Sequence, residues 1–361
     1  MEESEKKYFL GFSAFPGIGP HRFKLLLDYF GSAEKAWNGD KDTFLSVGLS
    51  KKLVDQFVEF RRNFSPKDYQ SELIKKDITT LTIHDKLYPK LLKEIHDPPI
   101  ILYIRGDVQR LTEMRVCIAV VGTRKMSTYG QTVTEKITQG LSQNGCTIVS
   151  GLAYGIDTVA HKTAIENSGW TIAVLGCGVD IIHPVTNTTL YWRIVKESGV
   201  VVSEYPPGRY AEKGTFPARN RIISGLSLAV VVTEGAENSG SLITAGFAAE
   251  QGREVFAVPG PINTINSQGP LKLMKDGAYV TTSAEDILTQ LRISFHPQVM
   301  GKKGSEDAVE QKILELLSYE QLLFDTLVQR MGIPASKIAE VLTRMELNGA
   351  VKNENGVYQL T

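Results

Sequence analysis

The sequence has no excess charge of either sign: 40 basic and 40 acidic residues balance over 361 positions. A chain that coats nucleic acid by bulk charge is strongly basic, so any such contact here has to come from a local patch. Cysteine is scarce. Cys117, Cys146 and Cys177 are odd in number, far apart and set among apolar residues. That pattern excludes a disulfide framework and offers no metal-ligand spacing. The three read as small buried hydrophobes in a reducing compartment. No apolar run approaches the ~20 residues that cross a bilayer. The opening MEESEKKYFLGF has no apolar signal core. These absences point to the cytoplasm, with no membrane insertion, and neither a metal nor a cofactor is implied. Two phosphate-binding fingerprints are also missing. The first strand is not followed by Gly-x-Gly-x-x-Gly, and no Gly-x4-Gly-Lys-Ser/Thr loop occurs.

What the sequence does contain is organised in zones. Residues 1–75 are helically patterned, 76–293 alternate strand-like and helix-like runs, 294–306 read as a linker, and 307–361 are helical with a terminal hairpin. The joint SFHPQVMGKKGSED is rich in Pro, Gly, Ser and Lys, as linkers are. The middle zone sets the fold class. CIAVVG, CTIVSG, TIAVLGCG, VVVSEY, LAVVVTEG and EVFAVPG are short, apolar and β-branched. Helix-length segments such as YGQTVTEKITQGLSQNG and SLITAGFAAEQGR separate most of them. Strands buried on both faces read this way, and parallel neighbours need helical crossovers. The expectation is an α/β chain with a Rossmann-like, doubly wound, mostly parallel sheet. Ligands of such sheets bind beyond the carboxyl ends of the strands.

The chemistry-bearing motifs stand at those ends. After the first strand come Gly122, Thr123, Arg124 and Lys125, then Ser127. Gly122 permits a sharp turn, Ser127 and Thr123 can cap the next helix, and a helix N-terminus with two cations beside it suits a phosphate. Asp157 and His161 are four apart and share a helix face. A catalytic dyad is conceivable there, but a loop-holding pair is the better reading, since no further metal ligand is placed. Arg219, Asn220 and Arg221 follow a Pro turn and precede another strand. Two arginines flanking an amide suit repeated phosphate contacts, and loss of Arg219 is expected to weaken binding without touching stability. Glu234 is the best single candidate for a catalytic carboxylate, against a structural role bonding the neighbouring glycine loops. Near the N-terminus, FPGIGPHRFKLLLDYFGSAEKAW fits a DNA-contacting helix-hairpin-helix, and equally a sterile-alpha-motif-like bundle that touches no DNA.

In order along the chain, VGTRKMSTYG, SGLAYGIDTVAHKTAI, VLGCGVDIIHPVTN, SEYPPG, FPARNRIISGLS, VVTEGAENSGSLITA and AAEQGREVFAVPG resemble the DprA/Smf family, DNA-processing protein A. The likeness runs over roughly residues 80 to 290. It implies a Rossmann-like, single-stranded-DNA-binding core that protects incoming DNA in natural transformation and helps load RecA recombinase. It further implies a homodimer, not an enzyme, and leaves room for contact with a single-stranded-DNA-binding protein. Carried over by motif, the nucleic-acid-binding residues are Gly122, Thr123, Arg124, Lys125, Arg219, Asn220 and Arg221. Phe216 and Tyr154 are the candidate rings for base stacking. Two positions depart from the family's usual form: Thr123 replaces Ser, and His183 replaces Tyr before Pro184.

The end zone reads as a winged helix, with its reading helix from Pro334 and a wing turn at Asn355-Gly356. Lys337 and Arg344 on that helix are balanced by Glu340 and Glu346, which favours a protein contact or weak DNA binding over groove reading. Two competing functions remain. One is a Rossmann-like nucleoside-monophosphate N-glycosidic hydrolase of the lysine-decarboxylase-like kind, using Glu234; its Pro-Gly-Gly-x-Gly-Thr run is absent. The other is duplex-DNA regulation through the end domains alone, which leaves the core motifs unexplained.

Overall fold

A computed structural model of the chain describes residues 3–112, 116–293, 308–347, 349–354 and 356–360. They fall into two compact units, Met1–His296 and Pro297–Thr361. The linker expected over 294–306 lies outside the described residues.

Six helices open the first unit: α1 (Glu3–Ala14), α2 (Pro20–Phe30), α3 (Ala33–Asn38), α4 (Lys41–Ser46), α5 (Lys51–Asn63) and α6 (Pro66–Lys75). Their boundaries are written locally. Ser32, Asp40, Ser50 and Ser65 each cap the following helix with a side-chain oxygen. Gly31 ends α2 at φ 77°, a left-handed turn that glycine adopts freely. The inner faces carry an aromatic core of Phe9, Phe12, Phe23, Trp37, Phe44 and Phe57, with Phe12 stacked on Phe57 at 5.2 Å. These helices do not form a separate body. Their core is continuous with Ile101, Tyr103, Ala173 and Val201 of the sheet, and Ser13 shares a 3.0 Å hydrogen bond with Tyr103.

The sheet has nine strands: β1 (Thr79–Thr82), β2 (Ile101–Gly106), β3 (Cys117–Val121), β4 (Thr147–Ser150), β5 (Thr171–Val174), β6 (Gly199–Ser203), β7 (Ala229–Val232), β8 (Glu254–Ala257) and β9 (Tyr279–Val280). Their spatial order is β1-β2-β6-β5-β4-β3-β7-β8-β9. From β6 across to β9 every pairing is parallel, while β1 and β2 add an antiparallel edge. The short α7 (Lys90–Lys93) lies between β1 and β2. The later helices are α8 (Thr128–Gln143), α9 (Ile156–Glu166), α10 (Thr188–Arg193), α11 (Thr215–Gly225), α12 (Gly240–Glu250), α13 (Ile265–Lys275) and α14 (Ala284–Gln290).

Alternation along the strands sends successive side chains to opposite faces. Ala119, Val121, Val149, Val230 and Val232 join one core with Ile222 and Ala245 of α11 and α12. Ile118, Val120, Ile148, Ala229 and Val231 join the other with Ile137, Ala160 and Ile287 of α8, α9 and α14. The N-terminal helices cover this second face where those helices stop. The central strands β3 to β7 are therefore buried on both sides, which is why they are predominantly apolar. The chain steps outward from β3 through β4 and β5 to β6, then returns to β7 on the other side of β3. That reversal opens a crevice beyond the carboxyl ends of β3 and β7.

The second unit has its own core, including Ile313, Leu327, Ile338 and Met345. It runs α15 (Ala308–Tyr319), β10 (Leu322–Leu323), α16 (Phe324–Met331), α17 (Ala335–Leu347), β11 (Val351–Glu354) and β12 (Val357–Leu360). The sheet order is β10-β12-β11, and three helices with a terminal hairpin make a winged helix. Asn355 of the expected wing turn lies outside the described residues; Gly356 has φ 84°. On α17, Lys337 pairs with Glu340 at 3.3 Å and Arg344 with Glu310 at 3.0 Å. Among the described residues no helix is long and apolar enough to cross a membrane.

Candidate functional site

The crevice at the β3/β7 reversal is a cavity of about 750 Å³. Its walls come from the loop Gly122–Lys125 after β3, Ala153 and Asp157 after β4, Lys213 and the first part of α11, the segment around Ala236 and Asn238–Ser241 at the start of α12, and Asn266 on α13.

The β3 loop is pinned on both sides. The Thr123 amide donates to the Glu234 carbonyl at 2.7 Å, and the Thr123 carbonyl accepts from the Ile156 amide at 3.2 Å. The Thr123 hydroxyl accepts from the Lys125 amide at 3.1 Å, and Asn266 donates to the Lys125 carbonyl at 3.0 Å. Glycine is required around it. A Cβ on Gly155, whose φ is 74°, would stand 2.3 Å from the Thr123 carbonyl oxygen. With the backbone held, the side chains of Arg124 and Lys125 project outward and are exposed. The Arg124 guanidinium lies 5.3 Å from the centre of the Phe216 ring, within cation–π range.

Ser127 caps α8, accepting from the Gly130 amide at 3.1 Å. The anion attracted by that helix N-terminus is internal. Glu234 accepts the Ser127 amide at 2.9 Å and the Ser127 hydroxyl at 2.6 Å, so the expected phosphate seat at α8 is already taken by a carboxylate. Glu234 is 4% exposed, and both oxygens are used structurally. This is the loop-bonding role, not a free catalytic carboxylate. The N-terminus of α12 is the one that faces the cavity. There Ser239 accepts from the Ser241 amide at 3.4 Å and shares a 2.9 Å bond with the Ser241 hydroxyl.

The segment FPARNRIISG is not a turn but the body of α11, with Pro217 in its first turn, where a missing N–H does no harm. Two residues apart on a helix, Arg219 and Arg221 cannot face one ligand together. Arg219 is 4% exposed and floors the cavity. It donates to the Gly151 carbonyl at 2.8 Å and to the Val174 carbonyl, which ties α11 to the ends of β4 and β5. Burial lowers its guanidinium from the ordinary arginine range, while Asp157 pulls the other way. Asn220 accepts from the Arg219 Nε–H at 3.2 Å and donates to the Gly240 carbonyl at 3.2 Å. Arg221 is absent from the cavity lining. It is 5% exposed, held bidentately by Glu204 at 2.6 and 3.1 Å and by Asp97 at 2.8 Å. These two carboxylates outweigh burial, and its guanidinium is raised. Of the seven residues singled out in the sequence, Arg124 and Lys125 alone therefore present free cationic heads to the crevice.

Asp157 and His161 hold the loop after β4. Asp157 accepts the Gly151 and Ala153 amides at 3.1 and 3.3 Å; burial raises its carboxyl, with Arg219 opposing. His161 Nε2 accepts the Leu152 amide at 3.3 Å and its Nδ1 meets the Thr171 hydroxyl at 2.7 Å. The Thr171 hydroxyl in turn donates to the Ile148 carbonyl at 2.8 Å. This chain of bonds assigns the Nδ1–H tautomer. Burial, and then Arg219, depress the imidazole to about 3, so it is neutral and structural. The described residues contain no group of three or more His, Cys, Asp or Glu placed to hold a metal.

Lys213 was not legible as a site residue in the sequence, because nothing in a Gly- and Tyr-rich loop fixes where a lysine points. It lines the cavity and is exposed. With Arg124, Lys125 and the buried Arg219 it faces a single lining carboxylate, Asp157. The crevice is thus a locally basic site on a chain of zero net charge.

The model of the DNA recombination-mediator protein A family matches residues 79–292, and that of the DprA winged helix domain matches 302–356. Protein Smf of Synechocystis is 35% identical over 99% of this chain and 100% of its own length. The chain belongs to the DprA/Smf family. Among other relatives in this DNA-processing family, Bacillus subtilis DprA is 46% identical over 60% of this chain and 72% of its own. The solved Streptococcus pneumoniae DprA superposes with a TM-score of 0.68 at 37% identity, covering 80% of this chain and 97% of that one. The Helicobacter pylori DNA processing protein A, whose structure was described for its single-stranded-DNA binding mode, has a TM-score of 0.55 at 30% identity over 61% of this chain and 97% of its own.

Proposed function

We propose that this DprA/Smf-family chain binds single-stranded DNA in the β3/β7 crevice, and that it acts in recombination and natural transformation by protecting incoming strands and helping to load RecA. The observation that carries the reading is that three exposed cations, Arg124, Lys125 and Lys213, line one cavity with the Phe216 ring, which Arg124 itself approaches to 5.3 Å, and with one carboxylate in the whole lining. Cations that track a backbone beside an aromatic face are what sequence-tolerant single-strand binding needs. Gly122 and Thr123 shape the loop, and Arg219 and Asn220 floor it. Arg221 acts through the placement of α11. The reading includes a cytoplasmic protein that is not an enzyme: the carboxylates and the imidazole lining or adjoining the crevice are occupied by hydrogen bonds to the protein itself. It also includes a homodimer, supported by the edge strand β9, whose apolar residues Tyr279 and Val280 are both exposed. Its DNA site lies in the segment 76–293, with which the helices of 1–75 share a core, and 307–361 is a second module.

The test is anisotropy titration of labelled single-stranded and duplex oligonucleotides across several salt concentrations, with wild type and Arg124→Ala. Salt-sensitive preference for the single strand, weakened by the substitution, is expected. No preference, or an unaltered variant, overturns the reading.

A further inference from the structure

The cations of the crevice do not end at its rim. Phe216, at the start of α11, packs its ring edge against Gly176 in the loop after β5; a Cβ on Gly176 would come 3.1 Å from the ring. Its other neighbour is the imidazole of His183, with ring centres 5.6 Å apart and planes inclined by 40°. His183 is exposed and Phe216 half-buried, and His183 is not part of the cavity lining. Arg124, Phe216 and His183 therefore form a series of flat groups that leaves the β3/β7 crevice and runs toward β5. The same β5 loop is tied to the loop after β6: the Gly178 amide donates to the Arg209 carbonyl at 2.8 Å. Beyond it the Arg209 guanidinium lies 4.8 Å from the Tyr205 ring centre. A cation and a ring thus recur at the next strand end.

We propose that His183 is a second base-stacking platform, so that a bound strand runs from the β3/β7 crevice over Phe216 and His183 toward the β5 and β6 ends of the sheet. The inference rests on the single-stranded-DNA reading of the crevice. A nucleobase is the ligand class because the exposed ring offers a flat π-face beside one that the protein already fixes, at a spacing that admits tilted or offset contacts. The imidazole is available for this: it makes no hydrogen bond or ion pair among the described residues, in contrast to His161, whose two nitrogens are both used.

The experiment uses the full chain with His183→Ala, His183→Gln and His183→Tyr. Binding is read by anisotropy on oligothymidylate and on the same length carrying consecutive abasic positions. Stacking predicts that Ala and Gln each raise Kd on oligothymidylate about 5-fold or more, that Tyr keeps it near wild type, and that the salt slope does not change, since no phosphate contact is lost. On an oligonucleotide whose abasic stretch covers this position, the variants should bind alike. Wild-type affinity in the Ala variant overturns the proposal. So does wild-type affinity in Gln, which would point to a hydrogen bond, or a reduced salt slope, which would point to a charge contact. Melting temperatures of all three identify a folding defect; if Ala and Gln are unstable, Tyr against wild type on the two oligonucleotides decides, because a ring-for-ring exchange must keep the penalty for the abasic stretch. Should wild type show no single-strand preference and Arg124→Ala no effect, the crevice reading itself fails. That outcome is distinct from His183 variants that bind normally while Arg124→Ala does not.

Discussion

Glu234 sits at the N-terminus of α8 with one oxygen on the Ser127 amide at 2.9 Å and the other on the Ser127 hydroxyl at 2.6 Å. Its backbone carbonyl meanwhile receives the Thr123 amide at 2.7 Å. One residue after β7 thereby fixes both the loop that displays Arg124 and the helix after that loop. The carboxylate also fills the space that a side chain on Gly130 would need: a Cβ there would stand 2.1 Å from its Oε2. Replacing Glu234 with Ala removes charge-assisted bonds worth about 1.5–3 kcal/mol each and leaves the α8 N-terminus without its anion. Calorimetry should show a melting temperature lowered by several degrees, and the loss of DNA binding should track unfolding.

Arg124 and Arg219 should part company under mutation. Arg124 is exposed, and Arg124→Ala is expected to keep the wild-type melting temperature while single-strand affinity drops and the salt slope falls by about 1. Arg219→Ala leaves the Gly151 and Val174 carbonyls and the Asp157 carboxylate without their buried cation. Breaking such an arrangement costs about 3–5 kcal/mol. Urea titration should find Arg219→Ala markedly destabilised, against the stability-neutral expectation that its sequence position suggests.

That contrast shows which parts of the site were legible. The sheet could be read because burial on both faces makes β3 through β7 predominantly apolar and β-branched, and parallel strands enforce helical spacing. The loop Gly122–Lys125 could be read because glycine, hydroxyl and cations come directly after a strand. Arg219 and Arg221 could not be sorted, because a guanidinium has the same sequence signature whether it binds phosphate or buried carbonyls. Only the helical phase of α11 separates them, and a Pro in a first turn looks like a Pro in a loop. The destination of Glu234 depended on Ser127, 107 positions away, a pairing set by the crossover from β6 back to β7 and by no local pattern. The antiparallel edge of β1 and β2 was hidden for a related reason: edge pairing leaves no crossover helix to signal it.

His161 gives the core a defined acid sensitivity. Its folded-state value is depressed to about 3 by burial, whereas the unfolded chain titrates near 6.5. Above about 6.5 both states are neutral and the full stability is present. As pH falls between about 6.5 and 3 the unfolded state takes up a proton that the folded state refuses, so stability declines. Between pH 7 and 5.5 this amounts to about 1 kcal/mol. Asp157, raised by burial with Arg219 opposing, works in the opposite sense. Urea titrations at the two pH values should show the decline in wild type and a decline smaller by about that amount in His161→Gln.

The winged helix owns its core, with Leu327, Ile338 and Val341 fully buried among its own residues, and its reading-helix cations Lys337 and Arg344 are both in ion pairs. A chain ending at residue 296 should therefore melt as the first unit of the full chain does, and bind single-stranded oligonucleotides with affinity within about 3-fold of the full chain, a shift of under 1 kcal/mol. Loss of single-strand binding on truncation would move the contact to the end domain.

The cysteines supply a check on the core that is independent of DNA. Burial pushes the Cys117 and Cys146 thiols up to about 12 and Cys177 to about 11, and all three are free and buried. The thiolate is the reactive form, so at pH 8 both its fraction and its access are suppressed. A chromogenic disulfide reagent should label none of the three in the folded chain within minutes, and all three in guanidinium. Because Cys117 begins β3 and Cys146 directly precedes β4, labelling that appears below the global transition would report local opening of the strand pair that carries the Arg124 loop. Uniform protection would place that pair in the most stable part of the molecule.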